Sequence, residues 1–241
     1  MLFGKRVVHF GPSMSKGGMS SVMSILENNP PDGWIADSVP THSDLSVLDK
    51  IKSYYSARKR LISMIKEREI DIAHFHVTHS MSWWRKQSLI RICQKNGLPT
   101  IVHIHSGKFD SFCKGIAGKN VSKLLARKGI KTIVIEERWL KILDRWLPRN
   151  AQVVNNSAIK QNSINKIGNN SPGVRLFLGA RRSKSKGHSF ALNVLEELHK
   201  LGVKAELIMT GVRGVPPTFP LIDYVNTLGW ISEREYFEEL L

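Results

Sequence analysis

Along the chain, short apolar runs alternate with longer amphipathic stretches, and this alternation constrains the fold more than any other feature. The runs that read as strands are Lys5–Phe10, Ile70–His76, Thr100–His105, Thr132–Ile135, Gln152–Asn155, Val174–Leu178, Ala205–Thr210 and Tyr224–Leu228. Helical patterns fall between them at Met19–Asn28, Leu48–Arg68, Trp84–Asn96, Val121–Lys128, Glu137–Trp146, Phe190–Leu201 and Glu233–Leu241. Strand–helix–strand repetition at this spacing predicts parallel βαβ units, hence an α/β fold. Gly97-Leu98-Pro99 and Gly202 stand where helices should stop.

The Asn-, Ser- and Lys-rich stretch before Gly173 interrupts the rhythm, and a new strand follows it. The expected organisation is therefore a Rossmann-like parallel-sheet domain over 1–160, a linker over 161–173, and the start of a second Rossmann-like domain over 174–241. The second part has room for about three βα units, where a doubly wound sheet has five or six strands. It reads as a truncated domain.

The chain has 241 residues, 41% of them hydrophobic and 23% charged, which excludes a disordered chain. No run approaches the roughly 20 apolar residues of a spanning helix, and the N-terminus does not read as a signal peptide. Two cysteines, Cys93 and Cys113, fit a reducing compartment and a cytoplasmic location. Lys and Arg number 36 against 20 Asp and Glu, a net charge of +16. That balance calls for an anionic partner: nucleic acid, a phosphorylated substrate or an acidic membrane surface. No RNA- or DNA-binding motif is present, so specific nucleic-acid binding is the weakest of the three. The basic aromatic stretch Ser82–Lys86 and the basic helix Lys50–Arg68 are the candidate surfaces for an anionic bilayer.

In open parallel sheets ligands bind beyond the carboxyl ends of the strands. There the sequence places Gly17 and Gly18 before a helix, His74 and His76, His103 and His105, and Glu136–Arg138. The glycine pair permits close backbone approach to an anion at a helix N-terminus, though it matches neither the dinucleotide fingerprint nor a P-loop. Each H-x-H pair shares one strand face. Neutral imidazoles suit zinc, but no neighbouring carboxylate or cysteine completes a set, so no metal is expected and a histidine facing phosphate or sugar hydroxyl is the favoured reading. Arg181, Arg182, Lys184 and Lys186, with Gly179 and Gly187, lie between a strand and a helix and suit a diphosphate.

Taken together, VVHFGPSMSKGGMSSV, IDIAHFH, IVHIHSGKFDSF, TIVIEERWLKIL, AQVVNNSAI, FLGARRSKSKGHSFAL, AELIMTG and VNTLGWIS resemble, in order and spacing, the retaining nucleotide-sugar glycosyltransferases of family 4, with the GT-B fold. The likeness is to members that build surface polysaccharides. The resemblance implies hexosyl transfer from a nucleotide sugar to a hydroxyl of a carbohydrate or lipid-linked acceptor, with retention, no cofactor, and a place in the cytoplasm at the inner membrane face. By position it implies that Gly17 and Gly18 lie against the donor diphosphate and that His105 serves the reaction centre. Arg181 or Arg182, with Lys186, bind the diphosphate, and Trp230, Ile231 and Ser232 meet the base. Two departures stand out. Ala180 occupies the usual Arg position, and the family's Glu-x7-Glu motif is absent. The alternatives are an inactive truncated transferase, or a non-catalytic phosphate- or nucleotide-binding module.

Overall fold

The computed structural model describes residues 4–13, 17–42, 46–156, 173–180 and 186–231. Two compact units divide the chain, Met1–Ile159 and Lys160–Leu241.

The first unit runs β1 (Lys5–Gly11), α1 (Gly18–Asn28), β2 (Trp34–Pro40), α2 (Val47–Lys66), β3 (Ile72–Val77), α3 (Met81–Lys95), β4 (Thr100–Ile104), α4 (Phe109–Phe112), α5 (Gly118–Leu125), β5 (Ile130–Val134), α6 (Glu137–Leu143) and β6 (Gln152–Val153). A π-helical turn, Cys113–Ala117, joins α4 to α5. All six strands are parallel, in the order β2-β1-β3-β4-β5-β6. One face of the sheet presents Val8, Phe10, Phe75, Val77, Val102 and Ile104 to α2, α3 and α5. Leu61, Met64, Leu89, Ile90 and Leu125 fill the helix side of that core. Burying each such side chain stabilises by about 1.5–3 kcal/mol.

Local signals set the helix ends. At α2, Ser46 Oγ accepts from Asp49 N–H (3.2 Å) and the Asp49 carboxylate accepts from Ser46 N–H (3.2 Å), a reciprocal cap. Gly97, at φ 66°, follows α3, and Gly202, at φ 74°, follows the helix His188–Lys200, both in the left-handed region that ends helices.

The strand β2 was not anticipated. Its sequence, WIADSVP, carries a central Asp and ends in Pro, and it lacks the apolar run of a strand buried on both faces. As an edge strand it needs none: Asp37 reaches the solvent side and pairs with Arg6 of β1 at 2.6 Å, and Pro40 sits at the strand end. The expected strand at Ile70 begins later, at Ile72, and Asp71 instead accepts Arg6 N–H at 2.6 Å. The expected run Gln152–Asn155 pairs only over Gln152–Val153.

The second unit holds β7 (Val174–Leu178), α7 (His188–Lys200), β8 (Ala205–Thr210) and β9 (Val225–Gly229). These form a parallel sheet in the order β7-β8-β9. Leu195 of α7, with Leu207, Met209, Val212 and Phe219, makes its core. A 3-10 turn, Ile222–Tyr224, leads into β9, displacing the expected start at Tyr224. The linker residues 161–172 and the expected helix Glu233–Leu241 lie outside the described residues.

Candidate functional site

Parallel strands deliver all their carboxyl ends to one edge, and the order of the first sheet fixes where a crevice opens. The chain leaves β1 toward β2 on one side, and β3 to β6 follow on the other. Such a switch point between β1 and β3 is where doubly wound sheets bind ligands. Gly11 closes β1 there. A Cβ on it would run into Met23 Sδ and come within 3.2 Å of His76 Cβ, so a larger residue here would have to displace the Met23 side chain of α1.

Gly17 takes φ 152° and caps α1 without a side-chain cap, and α1 has no acidic residue in its first turn. Ser20 Oγ donates to Gly17 O at 2.6 Å. A Cβ at Gly17 or Gly18 would meet nothing within 4 Å. This is an open helix N-terminus whose polarity favours an anion.

His105 follows β4 on the same sheet edge as Gly17. Its N–H donates to Val77 O at 2.9 Å, and its Nε2 lies 2.9 Å from His76 Nδ1. Burial, then His103 and the Lys86 ammonium, push its pKa down to about 3. It is a neutral imidazole that can give or take one hydrogen bond. Beside it, His79 Nδ1 and Ser106 Oγ are 2.7 Å apart and tie the β3 and β4 loops together. Ser80, between them and α3, holds φ 57°, a conformation costing roughly 1–3 kcal/mol and concentrated at functional sites.

Behind His105 lies a cluster that pairwise sequence spacing could not disclose. Register places His9 opposite His74, and His76 opposite His103. With His105 they make five imidazoles on the face opposite the apolar core. His9 was overlooked because nothing in β1 alone pairs with it; only the register does. Ring centroids of His74 and His76 are 4.3 Å apart, and those of His103 and His105 are 4.0 Å apart. One ring nitrogen from each of His9, His74 and His76 lies within 4.8 Å of the others, and the same holds for His76, His103 and His105. His9 Nε2, His74 Nε2 and both ring nitrogens of His103 are buried without a hydrogen-bond partner. Desolvation is the main cause holding all five well below the ordinary histidine range.

The basic aromatic stretch does not form the continuous surface read from the sequence. Trp83 is fully buried and donates Nε1–H to Asn120 Oδ1 at 3.3 Å. Lys86 is buried as well, donating to Ser82 Oγ at 3.0 Å. Burial, helped by Arg85, pushes the Lys86 pKa down to about 7. On α2, by contrast, Val47, Leu48, Ile51 and Tyr55 are exposed along one side, with Lys52, Arg58 and Lys59 exposed nearby. No helix among the described residues is long and apolar enough to cross a membrane.

In the second unit, Lys186 is exposed and Gly187, at φ 80°, caps α7 without a side-chain cap. His188 opens α7 with both ring nitrogens buried and unpartnered. Trp230, 47% exposed, and Ile231, half-buried, follow β9 on the same sheet edge. Gly229 N–H donates to Val212 O at 2.9 Å, and Gly211 N–H donates to Gly229 O, which shapes this loop. Arg181, Arg182 and Ser232 lie outside the described residues.

No family model matches the sequence, and no curated protein aligns with it. Solved structures do match in fold. A putative UDP-N-acetylglucosamine 2-epimerase from Listeria monocytogenes superposes with a TM-score of 0.55 at 7% identity, over 98% of this chain and 72% of that one. The UDP-GlcNAc 2-epimerase from Neisseria meningitidis, bound to UDP-GlcNAc, gives 0.52 at 11% identity, over 97% and 74%. A glycotransferase of kitacinnamycin gives 0.51 at 11% identity, over 95% and 72%. The fold is thus of the GT-B type expected from the sequence, with a Rossmann-like parallel sheet in its N-terminal unit.

Proposed function

We propose that this protein is a glycosyltransferase that takes its sugar from a nucleotide donor. The observation that carries the reading is the open, uncapped start of α1 behind Gly17 and Gly18, on the same sheet edge as neutral His105. An enzyme of similar fold is bound to UDP-GlcNAc, which supports a nucleotide sugar as the ligand class.

In the transfer, the bond between the anomeric carbon and the diphosphate oxygen breaks. A new bond forms to an acceptor hydroxyl oxygen, whose proton is lost. The leaving diphosphate gathers charge, and fixed donors aimed at that charge supply the stabilisation. Gly17 and Gly18 offer backbone and the N-terminus of α1; Lys186, with Arg181 or Arg182, offers cations. Trp230, Ile231 and Ser232 hold the base. His105, being neutral, hydrogen-bonds a donor-sugar hydroxyl at the reaction centre rather than acting as a charge. The reading assigns the chain to family 4, with hexosyl transfer, retention and no metal in the transfer step. The acceptor is a carbohydrate or lipid-linked hydroxyl in surface-polysaccharide synthesis at the cytoplasmic face. The exposed apolar side of α2, bordered by Lys52, Arg58 and Lys59, is the surface offered to an anionic bilayer.

Calorimetry with uridine, guanosine and adenosine diphosphates, followed by a donor-consumption assay with product NMR, tests this. One diphosphate should bind, and its sugar should appear on the acceptor with the donor's anomeric configuration. Binding without turnover would make the chain a non-catalytic nucleotide-binding module. An epimerised, untransferred sugar would replace transfer with epimerisation. No binding at millimolar diphosphate would end the nucleotide-sugar reading.

A further inference from the structure

We propose that His9, His74 and His76 bind one divalent transition-metal ion of the zinc class within the first sheet of the protein. The inference does not depend on the nucleotide-sugar reading, and its test involves no sugar.

Three adjacent parallel strands give up one face of their central positions to imidazoles, where the opposite face carries Val8, Phe10, Phe75 and Val102. As a hydrogen-bonded core the cluster is poorly satisfied. His9 Nε2, His74 Nε2 and both nitrogens of His103 have no partner, and each such buried group carries an uncompensated desolvation penalty. Valine or isoleucine at these positions would carry no such cost. An ion held here takes one lone pair from each of three neutral imidazoles and gives the unpartnered His74 Nε2 a role as ligand, while His9 Nε2 keeps its proton and His103 stays outside the set.

The geometry selects one trio of the two. His9 Nδ1 and His76 Nε2 are 3.2 Å apart. Two nitrogens each about 2.0–2.1 Å from a tetrahedral zinc are separated by roughly 3.3–3.4 Å. The other nitrogen of His76, Nδ1, lies 2.9 Å from His105 Nε2. With the proton on Nδ1, His76 donates to His105 and turns its Nε2 lone pair toward His9. A metal-bound histidine is commonly held this way by its second nitrogen. His74 completes the trio: one ring nitrogen from each of the three histidines lies within 4.8 Å of the others. Three imidazoles and a water make a four-coordinate site. Among the described residues, no carboxylate or cysteine joins the group, so the donor set suits zinc, cobalt or nickel and not magnesium or calcium.

The test uses tag-free full-length chain stripped with chelator, titrated with zinc by calorimetry and with cobalt by visible absorption. One zinc per chain should bind, cobalt should give the intense visible bands of a four-coordinate site, and zinc should raise the unfolding midpoint. His9→Asn and His74→Asn should each weaken zinc binding at least tenfold, while His103→Asn should change it less than threefold. If His74→Asn fails to fold by circular dichroism, His9→Asn and the wild-type cobalt spectrum decide. Folded wild type that binds no zinc at micromolar concentration overturns the proposal. So does binding lost in His103→Asn and kept in His9→Asn, which would move the ion to the other trio.

Discussion

In the first unit, strands β1, β3 and β4 bury apolar side chains on one face and His9, His74, His76 and His103 on the other. In the second, the central strand β8 buries Leu207 and Met209 on one face and Ile208 on the other. A parallel sheet covered on both sides ordinarily reads as the second unit does. The first unit departs from that rule on one face of β1, β3 and β4, the strands that flank the switch point, and a local rule broken inside an otherwise consistent fold marks a place kept for function. It can do so because its apolar face alone is extensive, whereas β8 draws on a core of far fewer buried side chains.

The largest effect expected from probing this contrast is at Lys86, a buried cation for which the second unit has no described counterpart. Its folded pKa lies near 7 against 10.5 for the free side chain. The unfolded chain therefore binds more protons between those values. The stability is fully present above pH 10.5, declines as pH falls and is lost near pH 7. Lys86→Met should stabilise the protein by up to about 5 kcal/mol at pH 6, and the gain should vanish toward pH 10.5. Urea unfolding at a series of pH values measures it, and a pH-independent difference would mean that Lys86 is solvated.

Core truncation comes next. Phe75→Ala should cost about 3–5 kcal/mol and Leu207→Ala about 2–5 kcal/mol. Hydrogen exchange should locate each loss: Leu207→Ala should speed exchange in β7–β9 and leave β1, β3 and β4 unchanged. Equal acceleration in both sheets would make the units one cooperative body and dissolve the comparison.

A smaller effect separates the two helix starts proposed to face a diphosphate. Lys186→Ala should weaken nucleoside diphosphate binding by about 1.5–3 kcal/mol, the worth of a hydrogen bond to a charged group. Calorimetry that finds no change would leave the anion to the first unit's Gly17 turn alone. The smallest effect is on α2. Ile51→Glu should weaken pelleting with anionic liposomes by about 1 kcal/mol, through lost apolar transfer together with repulsion of the new carboxylate. Equal pelleting of wild type with neutral liposomes would remove the electrostatic part of that surface.

Much of the architecture was readable in advance because β3, β4, β7 and β8 are dense in β-branched and other apolar residues and glycines close the intervening helices. What escaped was whatever depends on lateral neighbours. β2 is an edge strand, and its polar sequence makes sense only beside Arg6. His9 acquires meaning from its register with His74. Trp83 and Lys86 read as surface because they adjoin Trp84 and Arg85. Yet 83, 86, 87 and 90 fall at helical spacing on one face, and all four are buried. That signal was in the sequence, masked by its charge. Gly17, Gly18 and His105 were legible as sheet-edge positions because every strand of a parallel sheet ends on the same side.

The interior position of β1, between β2 and β3, also bears on how the chain is made. Arg6 meets Asp71 only 65 residues later, so at roughly 5–20 residues per second a ribosome supplies the second neighbour of β1 several seconds after the strand emerges. Until then Val7, Val8 and Phe10 have only the polar edge strand β2 beside them. The nascent chain thus carries an apolar strand with one unpaired edge throughout that interval, the kind of surface that chaperones shield.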